Sequence, residues 1–282
     1  MPLQTHLKYK HTCMLFLLLI TIHLPAALTF AGQGINVTAT TRPVVLEEFT
    51  ATWCYYCYSM GSALDRMHAQ YRPRDLVIIA FHVWTDPPFS FPFTDSRASY
   101  YSVGGIPSVW VNGLTLERFT GHGFDEGEAG IIQTYDSMKN RIETEQARIA
   151  GQAPAFSLSL RGDFTPEHPT LTVEVATQTS YPHNLALLAY VLEDRVPVNG
   201  SNGQTELNAL VRATMGSQTL QFSSPGTKSF QLASSVAVPS YNPANLYPVV
   251  ILQDASTREV LAAVSGLMAL PNAAQPAWSL YQ

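Results

Sequence analysis

Apolar residues in the first half of the chain change their spacing in a way that predicts a strand, a helix and a second strand. An apolar, β-branched run at 44–49, VVLEEF, favours a buried strand. One face of a helix that begins at or near Cys57 is then outlined by Met60, Leu64, Met67 and Tyr71. Pro73 ends this helix, and LVIIAFHVW at 76–84 predicts the second strand. The order predicts a right-handed βαβ unit with two parallel strands.

The next part of the chain alternates between irregular and regular patterns. In TDPPFSFPFTDSRASYYSVGG the prolines argue against regular structure in the first half, and residues 96–101 predict a short helix. IPSVWVNG and LERFTG then predict two strands joined by a turn at Asn112 and Gly113. Asp125 and Glu128 have the spacing of a capping box for a further helix. The apolar face of that helix is Ile131, Tyr135, Met138 and Ile142.

Beyond a predicted linker at 151–155, GQAPA, the apolar residues recur at every second position. This alternation is clear at Phe156, Leu158, Leu160, Leu171, Val173 and Val175. LALLAYVLED, TKSFQLAS, YPVVILQD and EVLAAVSGL are further strand candidates. Several short strands separated by turn residues predict an all-β, immunoglobulin-like antiparallel sandwich over residues 151–282.

The first 31 residues have the order of an export signal. Lys8 and Lys10 precede the apolar stretch CMLFLLLITIHL, and TFA ending at Ala31 fits a small-x-small cleavage site. The apolar stretch is shorter than the roughly 20 residues of a membrane-spanning helix. We therefore expect a signal peptide at 1–31, with an uncleaved membrane anchor as the alternative.

The net charge and the cysteine content of the chain indicate which partners and which compartment to expect. The chain has 282 residues and a net charge of −5, without a run of five basic residues, so nucleic acid is not an expected partner. Removal of the signal takes away Cys13 and leaves Cys54 and Cys57 as the two cysteines of the mature chain. An exported protein resides where disulfides persist.

The stretch WCYYC places Cys54 just before the predicted helix and Cys57 inside its first turn. Free backbone N–H groups and the helix dipole stabilise a thiolate at this end, so Cys54 is the expected nucleophile. Cys57 would then resolve the mixed disulfide. Two alternatives remain: a zinc site, which needs about four ligands and could add His82 and His122, and a structural staple, whose short loop would constrain the unfolded chain little.

VVLEEFTATWCYYC, followed about 50 residues later by VGGIPSVWVNG, resembles the thioredoxin-fold proteins over residues 40–148. The resemblance implies an α/β thioredoxin-like domain, at 32–150 in this chain. It implies a cis proline at Pro107, with the backbone of Ile106 presented to an extended substrate. Trp53 matches the tryptophan that precedes the first cysteine in the family, although packing is its alternative role.

Glu48 matches the buried acid of the family, whose role is to move a proton to or from Cys57. A carboxyl in an apolar strand should also have a raised pKa on physical grounds. In the alternative interpretation, one of Glu47 and Glu48 simply faces water. The dipeptide Tyr55-Tyr56 departs from the family patterns and supplies no histidine cation, which leaves the redox direction open.

The second half, with LLAYVLED, ALVRATMG and VVILQDASTREVLAA, resembles the exported bacterial outer-membrane-protein-28-related family. This resemblance implies residence in the periplasm or association with the outer membrane, and no particular substrate. The membrane itself would be contacted only through an uncleaved anchor or through envelope association.

Together the patterns predict an exported thiol-disulfide oxidoreductase that needs no metal or organic cofactor. Its partners would be protein thiols or disulfides and a redox partner protein. The competing hypothesis is a non-catalytic cell-envelope binding module built on a thioredoxin scaffold.

Overall fold

The computed structural model describes residues 33–117, 122–234 and 236–269. The predicted export signal and the end of the predicted strand LERFTG lie outside the described residues. The described part is mostly β-sheet, with three α-helices, α1 to α3, at Cys57–Gln70, Pro92–Tyr100 and Gly127–Ala150. None of the helices in these ranges combines the length and the apolar character that a bilayer crossing requires.

The described residues also contain fourteen strands, β1 to β14. In chain order they are Gln33–Ala39, Val44–Thr50, Leu76–His82, Ser108–Val111, Thr115–Glu117, Phe156–Phe164, Thr170–Thr177, Tyr181–Glu193, Val196–Pro197, Glu206–Leu207, Leu210–Phe222, Gly226–Ala233, Leu246–Asp254 and Val260–Ser265.

Most of these strands belong to two sheets. A four-stranded antiparallel sheet has the order β1-β6-β7-β12, and an eight-stranded sheet has the order β14-β13-β8-β11-β3-β2-β4-β5. In the larger sheet β2 is parallel to β3 and β3 is parallel to β11, whereas the other pairs are antiparallel. Strands β9 and β10 form a separate ribbon.

The elements predicted around the cysteines are confirmed. Strand β2, helix α1 and strand β3 form a βαβ unit in which Val44 pairs with Leu76. The predicted hairpin joins β4 to β5. Asn112 and Gly113 both have positive φ, of 46° and 72°, as the central residues of a type I′ turn do, and the Leu114 N–H closes this turn on the Val111 carbonyl at 3.0 Å.

Two helix starts differ from their predictions. Helix α2 begins at Pro92, four residues before the predicted start, because proline is tolerated in the first turn of a helix, where its missing N–H has no helical acceptor. The predicted capping box of Asp125 and Glu128 does not form. Helix α3 follows a 3₁₀ turn at Phe124–Glu126 and has no side-chain cap. Asp125 instead interacts with Tyr55, and a hydrogen bond with this carboxylate raises the pKa of the phenol.

The two sheets pack in a sandwich-like arrangement. The four-stranded sheet lies on the part of the larger sheet formed by β8, β11, β13 and β14. In β8, Leu187 and Ala189 face the interior of this sandwich, whereas Tyr190 and Leu192 face a second core shared with α1, β2 and β3. Both faces of β8 are therefore buried from Ala189 to Glu193, where its sequence is almost entirely apolar.

The segments on either side of residue 150 share both sheets. Strand β1 pairs with β6, strand β3 pairs with β11, and the described residues belong to one compact unit. The pairing of β3 with β11 is one residue pair, Ala80 with Leu210, beside which the Ala80 N–H donates to the Ala209 carbonyl at 2.9 Å. The α/β segment and the β-rich segment predicted from the sequence are thus joined by backbone hydrogen bonds as well as by side-chain packing.

Candidate functional site

The cysteine pair lies on the turn between β2 and α1. Cys54 and Cys57 form a disulfide, with their Cα atoms 5.2 Å apart. The Cys54 N–H donates to the Ala51 carbonyl at 3.2 Å, and the Cys57 N–H donates to the Cys54 carbonyl at 3.1 Å. Cys54 is 6% exposed and Cys57 is fully buried. Cys54 is consequently the sulfur that an incoming group reaches first.

The N-terminus of helix α1 has neither a side-chain cap nor a nearby acidic residue in its first turn. The residue at the N-cap is Tyr56. The first backbone N–H groups of an α-helix have no partner within the helix, and they carry the positive end of its dipole. Once the disulfide is reduced, this end of the helix favours negative charge on Cys54.

The backbone at Ile106 meets the cysteine pair. The Ile106–Pro107 peptide bond is cis, and the Ile106 carbonyl oxygen lies 3.7 Å from Cys54 Sγ. Ile106 also packs against a small buried cluster of Ala51, Cys54 and Cys57. The structure therefore brings Ile106 and Pro107 next to Cys54 and Cys57, the arrangement that the sequence resemblance implies.

Three exposed aromatic side chains, Trp53, Tyr55 and Tyr56, surround the cysteine pair and are called the aromatic rim below. Trp53 is 47% exposed, and Tyr55 and Tyr56 are each 42% exposed. The rings of Tyr55 and Tyr56 meet edge to face, with centroids 5.0 Å apart. Trp53 is thus not part of the core, and its indole is available to a molecule that approaches Cys54.

Both glutamates of β2 are buried, so the interpretation that one of them faces water is wrong. They point to opposite faces of the sheet, as successive strand residues do. Glu47 forms a bidentate pair with Arg97, at 2.7 and 2.8 Å, and accepts a hydrogen bond from the Tyr101 hydroxyl at 2.6 Å. This glutamate therefore serves the packing of α2 on the sheet.

Glu48 has a different environment. It is 3% exposed, and among the described residues its Oε1 has no hydrogen-bond partner. Burial, and after it the nearby charge of Asp65, raises the pKa of Glu48 to about 8. A carboxyl with such a pKa is mostly protonated at neutral pH and can still lose and regain its proton there.

Asp65 was not singled out from the sequence. It lies on α1 and interacts with Asn208, whose Nδ2 donates to Asp65 Oδ1 at 3.3 Å. Burial raises the pKa of Asp65 to about 7. Cys57, Gly61 and Asp65 recur at intervals of four, and this spacing along one helix face is a signal the sequence does contain.

Asp86 is a second neighbour of the cysteine turn that was not singled out from the sequence. It accepts hydrogen bonds from the Thr52 N–H at 2.9 Å and the Thr52 hydroxyl at 2.5 Å, and its Oδ2 lies 2.6 Å from His82 Nδ1. Burial alone would raise the pKa of Asp86, but the hydrogen bonds with His82 and Thr52 hold it below its usual value. Asp86 thereby holds the chain two residues before Cys54.

His82 and His122, the two histidines considered for a zinc site, each pair with a carboxylate. His82 pairs with Asp86, and His122 Nδ1 lies 2.6 Å from Glu126 Oε2. In the part of the chain that the structure describes, no three histidine, cysteine or acidic side chains come together in a group that could hold a metal ion.

Comparisons with known proteins found similar solved structures. No protein-family model matches the chain, and no curated protein matches it. An Omp28 outer membrane lipoprotein domain from Porphyromonas gingivalis matches 36% of this chain and 75% of its own, with a TM-score of 0.26 and 17% identity. Bacteroides uniformis β-glucuronidase 2 matches 41% of this chain and 13% of its own, with a TM-score of 0.24 and 16% identity. These two scores are too low to support an argument.

HBP35 of Porphyromonas gingivalis matches 80% of this chain and 74% of its own, with a TM-score of 0.58. The sequence identity of 18% is low, so the likeness concerns the fold. The chain therefore shares a fold with HBP35 over most of its length.

Proposed function

We propose that the protein is an exported thiol-disulfide oxidoreductase that exchanges disulfides with protein substrates through Cys54 and Cys57. One observation carries the proposal. The disulfide sits at the open N-terminus of α1, with Cys54 Sγ 3.7 Å from the carbonyl of Ile106, which precedes a cis proline. A structural staple would need neither the helix end nor this contact.

The local architecture supports a thioredoxin-like interpretation of the first segment. A βαβ unit places the C-x-x-C pair at the carboxyl end of β2 and the start of α1, and such a pair beside a βαβ pattern is the thioredoxin-like redox motif. Strands β4 and β5 extend the same sheet beyond β2. The β-rich remainder is compatible with the predicted immunoglobulin-like sandwich.

In the reductive direction, the thiolate of Cys54 attacks one sulfur of a substrate disulfide. A bond forms between Cys54 and that sulfur, and the other substrate sulfur leaves as a thiolate that takes up a proton. Cys57 then attacks Cys54 and releases the second substrate sulfur. Two electrons pass to the substrate, and a redox partner protein must restore the dithiol. The oxidative direction runs through the same steps in reverse.

Glu48 is the proposed proton carrier for Cys57. Cys57 is buried, so its thiol needs a base before it can attack and an acid when it leaves. A carboxyl whose pKa is about 8 can serve as either at neutral pH. This assignment gives a reason for an acid in an otherwise apolar part of β2.

The substrate is proposed to bind as an extended segment beside Ile106 and Pro107. The Ile106 backbone lies at the nucleophilic sulfur, where a segment that pairs with it would bring its own disulfide to Cys54. Trp53 and the two tyrosines of the rim would contact the flanking side chains. No metal or bound organic cofactor enters the reaction.

The proposed location is the bacterial periplasm or the outer membrane, in line with the Omp28-related resemblance. The export pattern of residues 1–31 supports it. A disulfide between the two cysteines that remain after signal removal also fits an oxidising compartment.

One observation favours a second candidate, a non-catalytic envelope binding module. Cys54 is only 6% exposed, whereas the aromatic rim around it is well exposed. Such a surface can bind a partner without disulfide exchange.

Reduction of insulin in the presence of dithiothreitol separates the two functions. We expect the wild-type protein to accelerate insulin precipitation and the Cys54→Ala variant to fall to the uncatalysed rate, since the nucleophile is missing. A wild-type rate equal to that of the variant would contradict the oxidoreductase and favour the binding module.

A further inference from the structure

The redox loop is defined here as residues 51–56, between β2 and α1. The loop that joins β9 to β10, residues 198–205, lies against it although the two are about 150 residues apart in sequence. We propose that Asn202 in this loop is a positioning residue for Cys54, which makes the Cys54–Cys57 disulfide more stable relative to the dithiol. This inference rests on the proposed function, because it concerns the same redox pair.

Asn202 holds two consecutive carbonyls just before the pair. Its backbone N–H donates to the Thr52 carbonyl at 3.0 Å, and its Nδ2 donates to the Ala51 carbonyl at 3.3 Å. The Ala51 carbonyl also accepts the Cys54 N–H at 3.2 Å. Asn202 and Cys54 therefore share one acceptor, and the Asn202 side chain helps to fix the peptide group that orders Cys54.

Thr52 is held from its other side as well. Asp86 accepts hydrogen bonds from the backbone N–H and the hydroxyl of Thr52, while Asn202 donates to its carbonyl. Asp86 and Asn202 are each 2% exposed. Hydrogen bonds between groups shielded from water compete little with solvent, so they restrain the backbone more than surface bonds would.

The orientation of the Asn202 amide is itself fixed. Gln204 accepts from Asn202 Nδ2 at 2.8 Å through Oε1, and its backbone N–H donates to Asn202 Oδ1 at 3.1 Å. The Gln204 side chain lies on α1 at Gly61, where a Cβ would come within 2.5 Å of Gln204 Nε2. The absence of a side chain at Gly61 thus allows the Gln204 side chain to pack against α1.

The restraint should change the redox equilibrium in one direction. Closing the disulfide requires the two sulfurs to be held together, and a loop that is already ordered loses less conformational entropy when the bond forms. In the dithiol form the same restraint keeps Cys54 near Cys57, which raises their effective concentration. Loss of the Asn202 amide should therefore favour the dithiol.

The test compares Asn202→Ala with wild type in glutathione redox buffers, with the dithiol fraction measured by alkylation. We expect a three- to tenfold shift of the equilibrium toward the dithiol, or about 14 to 30 mV for a two-electron couple. Ser201→Ala is the matched control, because Ser201 is the neighbouring residue and its side chain is exposed. This control should keep the wild-type equilibrium. Gln204→Ala should shift it in the same direction as Asn202→Ala, by a smaller factor.

Thermal unfolding of the same variants separates positioning from folding. An Asn202→Ala variant that is less stable but has the wild-type equilibrium, or one that shifts toward the disulfide, would overturn the proposal. If Asn202→Ala does not fold, an unchanged equilibrium in Gln204→Ala would do so. The equilibrium is measured without a protein substrate, so absence of insulin turnover in wild type would contradict the proposed function and leave this test intact.

Discussion

Substitution of Cys57 by alanine is expected to trap a stable mixed disulfide between Cys54 and a substrate, and substitution of Cys54 should trap at least tenfold less. Cys54 keeps its position at the helix end in Cys57→Ala, so attack proceeds, but no second thiol remains to release the product. In Cys54→Ala the remaining thiol is fully buried inside α1 and far harder for a substrate disulfide to reach.

The two variants can be compared with an envelope extract and with a purified disulfide-containing protein, on non-reducing gels. The double variant Cys54→Ala/Cys57→Ala is the matched control, since it contains neither thiol. Equal trapping by the single variants, or trapping by Cys54→Ala alone, would mean that the roles are reversed. Trapping by neither would favour the binding module.

Glu48→Gln is expected to slow the release step by tenfold or more and to change how stability depends on pH. Glutamine has nearly the same shape and cannot accept the Cys57 proton. The trapped intermediate should therefore last longer in this variant, whereas the initial attack by Cys54 should proceed at a similar rate. Rapid-quench measurement of mixed-disulfide formation and decay separates these two steps.

The sign of the stability effect follows from the raised pKa. Folded Glu48 has a pKa of about 8, above the usual 4.5 of a glutamate, so between these values the folded protein holds a proton that the unfolded chain has lost. Wild-type stability should fall as pH rises from about 4.5 to 8. Glutamine does not titrate, so Glu48→Gln should gain roughly 3 to 5 kcal/mol relative to wild type between pH 4.5 and 9.

Denaturant unfolding at several pH values measures this difference. Glu167→Gln is the matched control, because it makes the same chemical change at an exposed side chain. Parallel pH curves for wild type and Glu48→Gln, together with unchanged release kinetics, would assign Glu48 a purely structural role.

The residues near the cysteines were predictable because their signals are local. The apolar run of β2, the helical spacing of α1 and the turn at Asn112 each lie within a short stretch of sequence. The C-x-x-C pair and the proline at 107 likewise carry motifs that can be recognised without a structure.

Long-range pairings were not predictable in the same way. Strand β1 pairs with β6 more than 120 residues later, and β3 pairs with β11, although neither sequence specifies its partner. The burial of both Glu47 and Glu48 depends on cores that cover both faces of the sheet. Asn202 reaches the redox loop only because the β-rich segment folds against it.

The equilibrium between the Cys54–Cys57 disulfide and its dithiol in glutathione buffers, followed by alkylation and by circular dichroism, tests most directly whether this pair is a working redox couple. We expect one reversible two-electron transition within the native fold. A potential near −270 mV would indicate a reductant, and one near −120 mV an oxidant. A disulfide that resists every buffer until the protein unfolds would contradict the assignment of an oxidoreductase.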